Sequence, residues 1–212
     1  MFRSVALAAA LLAAAPVAAV TLVYDTAPTT PGNQAWGGTL GLDFNVNRQI
    51  RVTSLGTFDS GKDGITSDIF VGIFDLSTGN LVAPAINLNG TTNAGGTAYV
   101  TQQVTPIVLG PGNYQLAAWG YNLGADMNYN NSGPGGPIIF DSLFGALTAV
   151  GTRYSDFAAP GVLATNVDVG TTRYGAGTFA AYVPEPATWG MLITGFAMTG
   201  AAMRRRKAAV AA

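Results

Sequence analysis

The sequence predicts an all-β protein: an antiparallel β-sandwich or jelly-roll-like domain, flanked by an N-terminal signal peptide and a C-terminal transmembrane helix. Three observations predict it. Short apolar runs of period two fill the middle of the chain, glycine- and asparagine-rich turns separate them, and amphipathic helical periodicity is nearly absent outside the two ends. With 212 residues, 28 of them glycine and 11 proline, the chain suits one medium domain plus accessory segments. The expected division is a signal peptide over 1–19, an extracytoplasmic sandwich over 20–183, a hydrophobic targeting segment over 184–207 and a short tail over 208–212.

The amino terminus reads Met1-Phe2-Arg3, an uninterrupted apolar stretch over 5–15, then Pro16-Val17-Ala18-Ala19. A charged start, an apolar centre and small residues before a cut are the parts of a secretory signal. The apolar stretch would be about 16 Å long as a helix, too short for a hydrocarbon core of about 30 Å. We therefore expect export through the Sec translocon and removal by signal peptidase after Ala19.

Strands are expected next in order. In 40–46, Leu40, Leu42, Phe44 and Val46 alternate with small or polar residues, which is the signature of a half-buried strand. Further strands are expected over 50–58, 68–74, 81–88, 99–108, 114–119, 137–140 and 178–183. The Ser-Thr-Gly-Asn within 75–80 marks a turn, and Gly110-Pro111-Gly112-Asn113 reads as a tight connection between antiparallel neighbours. The stretch 141–150 reads equally as a short helical turn capped by Asp141-Ser142 or as a strand. The segment 122–137, rich in asparagine, glycine and proline, is expected as a mobile surface loop.

The carboxy terminus has three parts: Pro184-Glu185-Pro186, a nearly unbroken apolar segment over 187–203, and Arg204-Arg205-Arg206-Lys207. The prolines keep the first part extended. The apolar segment would span about 25 Å as a helix, with arginines able to snorkel to the head groups, and the basic cluster predicts a cytoplasmic end. Pro184, Glu185, Pro186, Thr188, Trp189, Gly195, Gly200, Arg204, Arg205 and Arg206 together resemble a PEP-CTERM protein-sorting signal in its tryptophan-containing variant. That resemblance implies a Gram-negative exported protein, anchored transiently in the inner membrane with a cytoplasmic C-terminus. It also implies an exosortase as partner, cleavage near the Pro-Glu-Pro, an association with exopolysaccharide and biofilm, and a final location at the cell surface or outside it.

The middle resembles a domain often paired with this signal, through Phe44-Asn45-Val46-Asn47, the run from Val52 to Gly61, Val71-Gly72-Ile73-Phe74-Asp75 and Leu109-Gly110-Pro111-Gly112-Asn113-Tyr114. The likeness covers about 38–155 and implies an extracellular β-sandwich with features common to carbohydrate-binding and adhesion modules.

Composition restricts the chemistry. There is no cysteine, no histidine and a single glutamate, so Ser-His-Asp and Cys-His mechanisms, thiolate or imidazole zinc sites and disulfides are excluded. Between residues 20 and 183 stand five basic residues and ten aspartates, a net charge of −5, unsuited to nucleic acid. Asp59, Asp63 and Asp68 lie around glycines in a turn, where oxygen ligands suit calcium; the competing reading is a structural turn whose aspartates accept backbone hydrogen bonds. Trp36, Trp119, Tyr121 and Tyr129 have polar neighbours suited to sugar contact, and the loop pair Tyr121 and Tyr129 is the candidate exposed set. Thr-Arg-Tyr occurs twice, ending at Tyr154 and Tyr174, and is read as strand-edge residues. The expected function is a non-catalytic, exopolysaccharide-associated or adhesion module, not an enzyme. The alternatives are a glycoside hydrolase using two aspartates and a β-rich surface-layer protein.

Overall fold

The computed structural model describes residues 21–93, 96–121, 126–131, 137–157, 160–184, and 190–201 apart from 191. Its principal strands are β1 (Thr39–Val46), β2 (Ile50–Phe58), β3 (Phe70–Asp75), β4 (Tyr99–Leu109), β5 (Gly112–Trp119), β6 (Leu147–Tyr154), β7 (Asn166–Asp168) and β8 (Gly177–Tyr182). All their pairings are antiparallel. The larger sheet runs β7-β6-β1-β5-β3, with Asn80–Leu81 and Ile86–Asn87 both on the outer side of β3. The smaller runs Thr21–Leu22, β8, β2, β4.

The alternation in β1 explains how the sheets meet. Leu40, Leu42, Phe44 and Val46 are buried in the common core, and the Phe44 ring lies 5.2 Å from that of Phe179 on β8, linking the two layers. Burying each such side chain contributes about 1.5–3 kcal/mol. The opposite face of β1 is covered as well: Thr39 and Asp43 are buried, because the chain after β6 folds back over that face.

Prolines set the irregularities. The 99–108 run forms β4 despite Pro106, and the β2–β4 register slips between Val52 and Ser54, where Pro106 has no N–H to give the ladder. The expected strand 81–88 splits into Asn80–Leu81 and Ile86–Asn87 around Pro84. The 75–80 turn forms as expected: Asp75 pairs with Asn80, and its carboxylate accepts the Ser77 N–H at 2.7 Å. By contrast, Gly110-Pro111 does not join neighbours. It carries the chain from β4 in the smaller sheet to β5 in the larger, where β1 and β3 take both flanks of β5.

The 141–150 segment divides. Asp141 accepts the Leu143 N–H at 2.7 Å and starts a turn, and β6 begins at Leu147. The expected loop 122–137 is also corrected over its described part, since residues 128–130 are buried and Tyr129–Asn130 pairs with Tyr174–Gly175. Asparagines do this work. Asn33 and Asn130 exchange Asn33 Nδ2→Asn130 O (2.8 Å) and Asn130 N→Asn33 Oδ1 (2.7 Å), while Asn128 Nδ2 donates to Gln34 Oε1 at 2.9 Å. Their side chains stand in for ladder partners, which lets a polar stretch lie inside.

The expected C-terminal transmembrane helix is overturned. Among the described residues no helix is long and apolar enough to cross a membrane. The described helical residues, Gly190 and 192–201, reach about 18 Å end to end, against a hydrocarbon core of about 30 Å. It includes Gly190, Gly195 and Gly200, and the Thr194 and Thr199 hydroxyls bond back to Gly190 O and Gly195 O. With the span goes the topology built on it, a transient inner-membrane anchor with a cytoplasmic C-terminus. Within the sorting motif Pro184 is described and half-buried; Glu185, Pro186, Trp189, Arg204, Arg205 and Arg206 lie outside the described residues, as does the signal segment 1–19.

Candidate functional site

The aspartates expected to hold calcium separate. Asp59 is buried, and its Oδ2 accepts the Gly64 N–H at 3.3 Å. Burial pushes its carboxyl above the usual range against the opposing bonds from Asn93 and Gly64, with further repulsion from Asp63 and Asp126. Asp63 is exposed. Asp68 points elsewhere, accepting Asn87 Nδ2 at 2.9 Å and Asn89 Nδ2 at 3.0 Å, amides that hold its carboxyl below the usual range. Among the described residues no group of three acidic side chains is arranged to hold a metal ion.

The expected sugar-binding tyrosines are core residues. Tyr121 is 1% exposed, and its hydroxyl donates to Ala176 O and is hydrogen-bonded to Thr57 Oγ1. Tyr129 is 0% exposed, with its ring 6.1 Å from Phe58. Neither presents a ring face to solvent. Tyr121 is turned inward by Gly120, whose φ of +107° no β-carbon would tolerate beside Asp68 O. Trp119 is stacked on Phe70 at 5.7 Å.

The residues that do converge come from the two Thr-Arg-Tyr sequences. Strand β6 carries Thr152-Arg153-Tyr154 antiparallel to β7, with Thr152 opposite Asp168. The second sequence, Thr172-Arg173-Tyr174, leads into the short Tyr174–Gly175 strand. Tyr154, Tyr174, Arg173 and Asp168 therefore meet Trp36, Gln34 and Asn130 around an open cleft of about 310 Å³. Trp36 is held by its indole N–H, which donates to Ser155 O at 3.0 Å, and by an edge contact with Tyr154 at 5.5 Å.

The two arginines do different work. Arg153 turns under the sheet, its Nε 2.5 Å from Asp43 Oδ2 and its Nη1 donating to Thr165 O at 3.1 Å. Gln115 completes that network through Nε2 to Asp43 at 2.7 Å and to Ala164 O at 3.0 Å, and its Oε1 accepts the Ala164 N–H at 2.8 Å. The segment around Ala164 is thus fixed to the outer face of β1 and β5. Arg173 remains in the cleft, with Nε 3.3 Å from Asp168 Oδ2. The Tyr174 hydroxyl also donates to Asp168. Burial pushes the Asp168 carboxyl up, but Tyr174, the Val169 N–H and Arg173 outweigh it and hold the group below the usual range. Burial and then Asp168 push the Tyr174 phenol well up, so it stays protonated as a donor.

The cleft thus offers the half-buried Trp36 indole and Tyr154 phenol, an ion pair with no net charge and two amides, over the buried Tyr174. A second open cleft of about 410 Å³ lies at the smaller sheet near Ser54, Tyr99 and Gln103, and among the described residues no charged side chain lines it. From sequence Trp36 is one of four candidate aromatics, while the two Thr-Arg-Tyr sequences read as strand-edge residues; their recurrence was the available signal for the first cleft. Compared with protein-family models the chain matches none, and no curated protein is similar enough to count as a relative.

Proposed function

We propose that this chain is an exported, non-catalytic β-sandwich serving as a structural component of the cell surface or extracellular matrix. The observation that carries the reading is how the aspartates are used. Asp43 is paired with Arg153, Asp126 accepts Thr66 and Ser67, Asp75 holds its turn, Asp68 binds two asparagines, and Asp168 is tied to Tyr174 and Arg173. Each supports the fold locally. Glycoside hydrolysis needs two carboxyl groups facing one another across a cleft, and among the described residues Asp168 is the one carboxylate lining the Trp36 cleft. The secretory pattern in 1–19 supports export.

Two measurements test this. A tagged full chain in a Gram-negative host is expected in surface and medium fractions, and the purified protein is expected to release no new reducing ends from a panel of polysaccharides. Retention in the cytoplasm would overturn the first half of the proposal, and new reducing ends the second. Sedimentation of the purified protein would show whether it assembles into an ordered layer.

A further inference from the structure

We propose that the cleft between Trp36, Tyr154 and the Asp168–Arg173 pair binds a neutral pyranose residue of a glycan. The proposal rests on the surface-component reading and names what that surface holds. A pyranose ring carries C–H bonds on its faces and hydroxyls around its rim. It therefore calls for aromatic surface beside mixed donors and acceptors, the pattern of a small-ligand site. Trp36 and Tyr154 are half-buried and line the cleft, with the Phe157 ring packed on the indole at 4.4 Å. Arg173 supplies donors, Asp168 acceptors, and Gln34 both.

Charge selects the class of sugar. The Arg173 guanidinium is already 3.3 Å from Asp168, so the cleft is balanced, and an incoming carboxylate would meet Asp168 within a domain of net charge −5. A neutral ring meets no such repulsion. At about 310 Å³ the cleft lies at the small end of ligand sites, sized for one or two sugar rings. Its walls are fixed in advance: Trp36 by Ser155, Tyr174 by Asp168, and β6 by Arg153 and Asp43. Binding therefore orders few side chains.

The test is titration of the isotope-labelled full chain with cellotetraose, maltotetraose, mannotetraose and tetragalacturonate, followed by amide and indole NMR shifts. At least one neutral tetrasaccharide is expected to give saturable shifts at the Trp36 indole and across 166–174. Gln34→Ala and Asp168→Asn are expected to weaken that binding by about tenfold or more. Gln103→Ala, in the second cleft, is expected to leave it unchanged. Asp168→Asn could unfold the region and Gln34→Ala gives up the Asn128 Nδ2 bond, so the melting temperature and amide spectrum of each variant are checked, and the variant that keeps the wild-type fold carries the comparison. No saturable shift with any neutral probe up to about 10 mM would overturn the proposal. So would binding of tetragalacturonate alone, or binding that both cleft variants leave intact. Those results would leave the fractionation and reducing-end outcomes standing, so the two readings fail separately.

Discussion

Gly41 lies midway along β1, and a β-carbon there would come within 2.6 Å of Gln115 Cδ. The side chain it would strike is the one that reaches Asp43 and Ala164. Gly41→Ala is therefore expected to cost about 1–3 kcal/mol, as other overpacking does, and to loosen the 160–165 segment, which urea unfolding with amide exchange would show. Asp59 gives a pH-dependent case. Its folded pKa lies above the unfolded value near 3.9, so the unfolded chain gives up this proton at lower pH. The fold is then penalised increasingly as pH rises through that interval, and fully above the folded pKa. Asp59→Asn is expected to be more stable than wild type at pH 7, with the advantage closing below the unfolded pKa, as read from denaturation midpoints across pH. Asp168 has the opposite sign: its contribution is present above the unfolded pKa and is lost as pH falls through the folded one.

At the level of elements, the chain announces its strands more clearly than their partners. The alternation of Leu40, Leu42, Phe44 and Val46 marks β1, and the apolar run ending at Phe58 marks β2, because one face of each must enter a shared core. Pairing is another matter. The Gly110-Pro111 turn looks like a hairpin, and only the occupation of both flanks of β5 by β1 and β3 sends β4 to the other sheet. The 126–131 stretch reads as solvent-loving because its asparagines are polar; what buries it is reciprocal bonding to Asn33 and Gln34, almost a hundred positions away. The cleft was hidden for a similar reason, since Trp36, Tyr154 and Tyr174 come together only once β6 lies antiparallel to β7. Asn33→Ala removes two hydrogen bonds worth about 1 kcal/mol each. Amide exchange over 128–131 is expected to quicken by roughly thirtyfold, while the β2–β4 amides keep their protection.

Across the whole molecule, the chain changes sheets repeatedly: β1, β3, β5, β6 and β7 belong to one layer and β2, β4 and β8 to the other. Few neighbouring strands in sequence can form first as a local pair, and Thr21–Leu22 waits for β8 near the far end of the domain. Refolding from urea is expected on a timescale of about milliseconds to seconds, as in other sandwiches dominated by distant contacts, and stopped-flow tryptophan fluorescence would measure it. A sub-millisecond refolding phase carrying the full amplitude would contradict that expectation.

The pairing of Thr21 with Ala181 sets the entry and exit of the domain side by side, at one pole. The exit strand is reached from Tyr174–Gly175 through a bend at Ala176, so the run from the cleft to the close of the domain passes from one sheet to another. Because entry and exit are neighbours, a circularly permuted version, joined there and reopened at the exposed Ser77–Thr78 turn, should keep the fold.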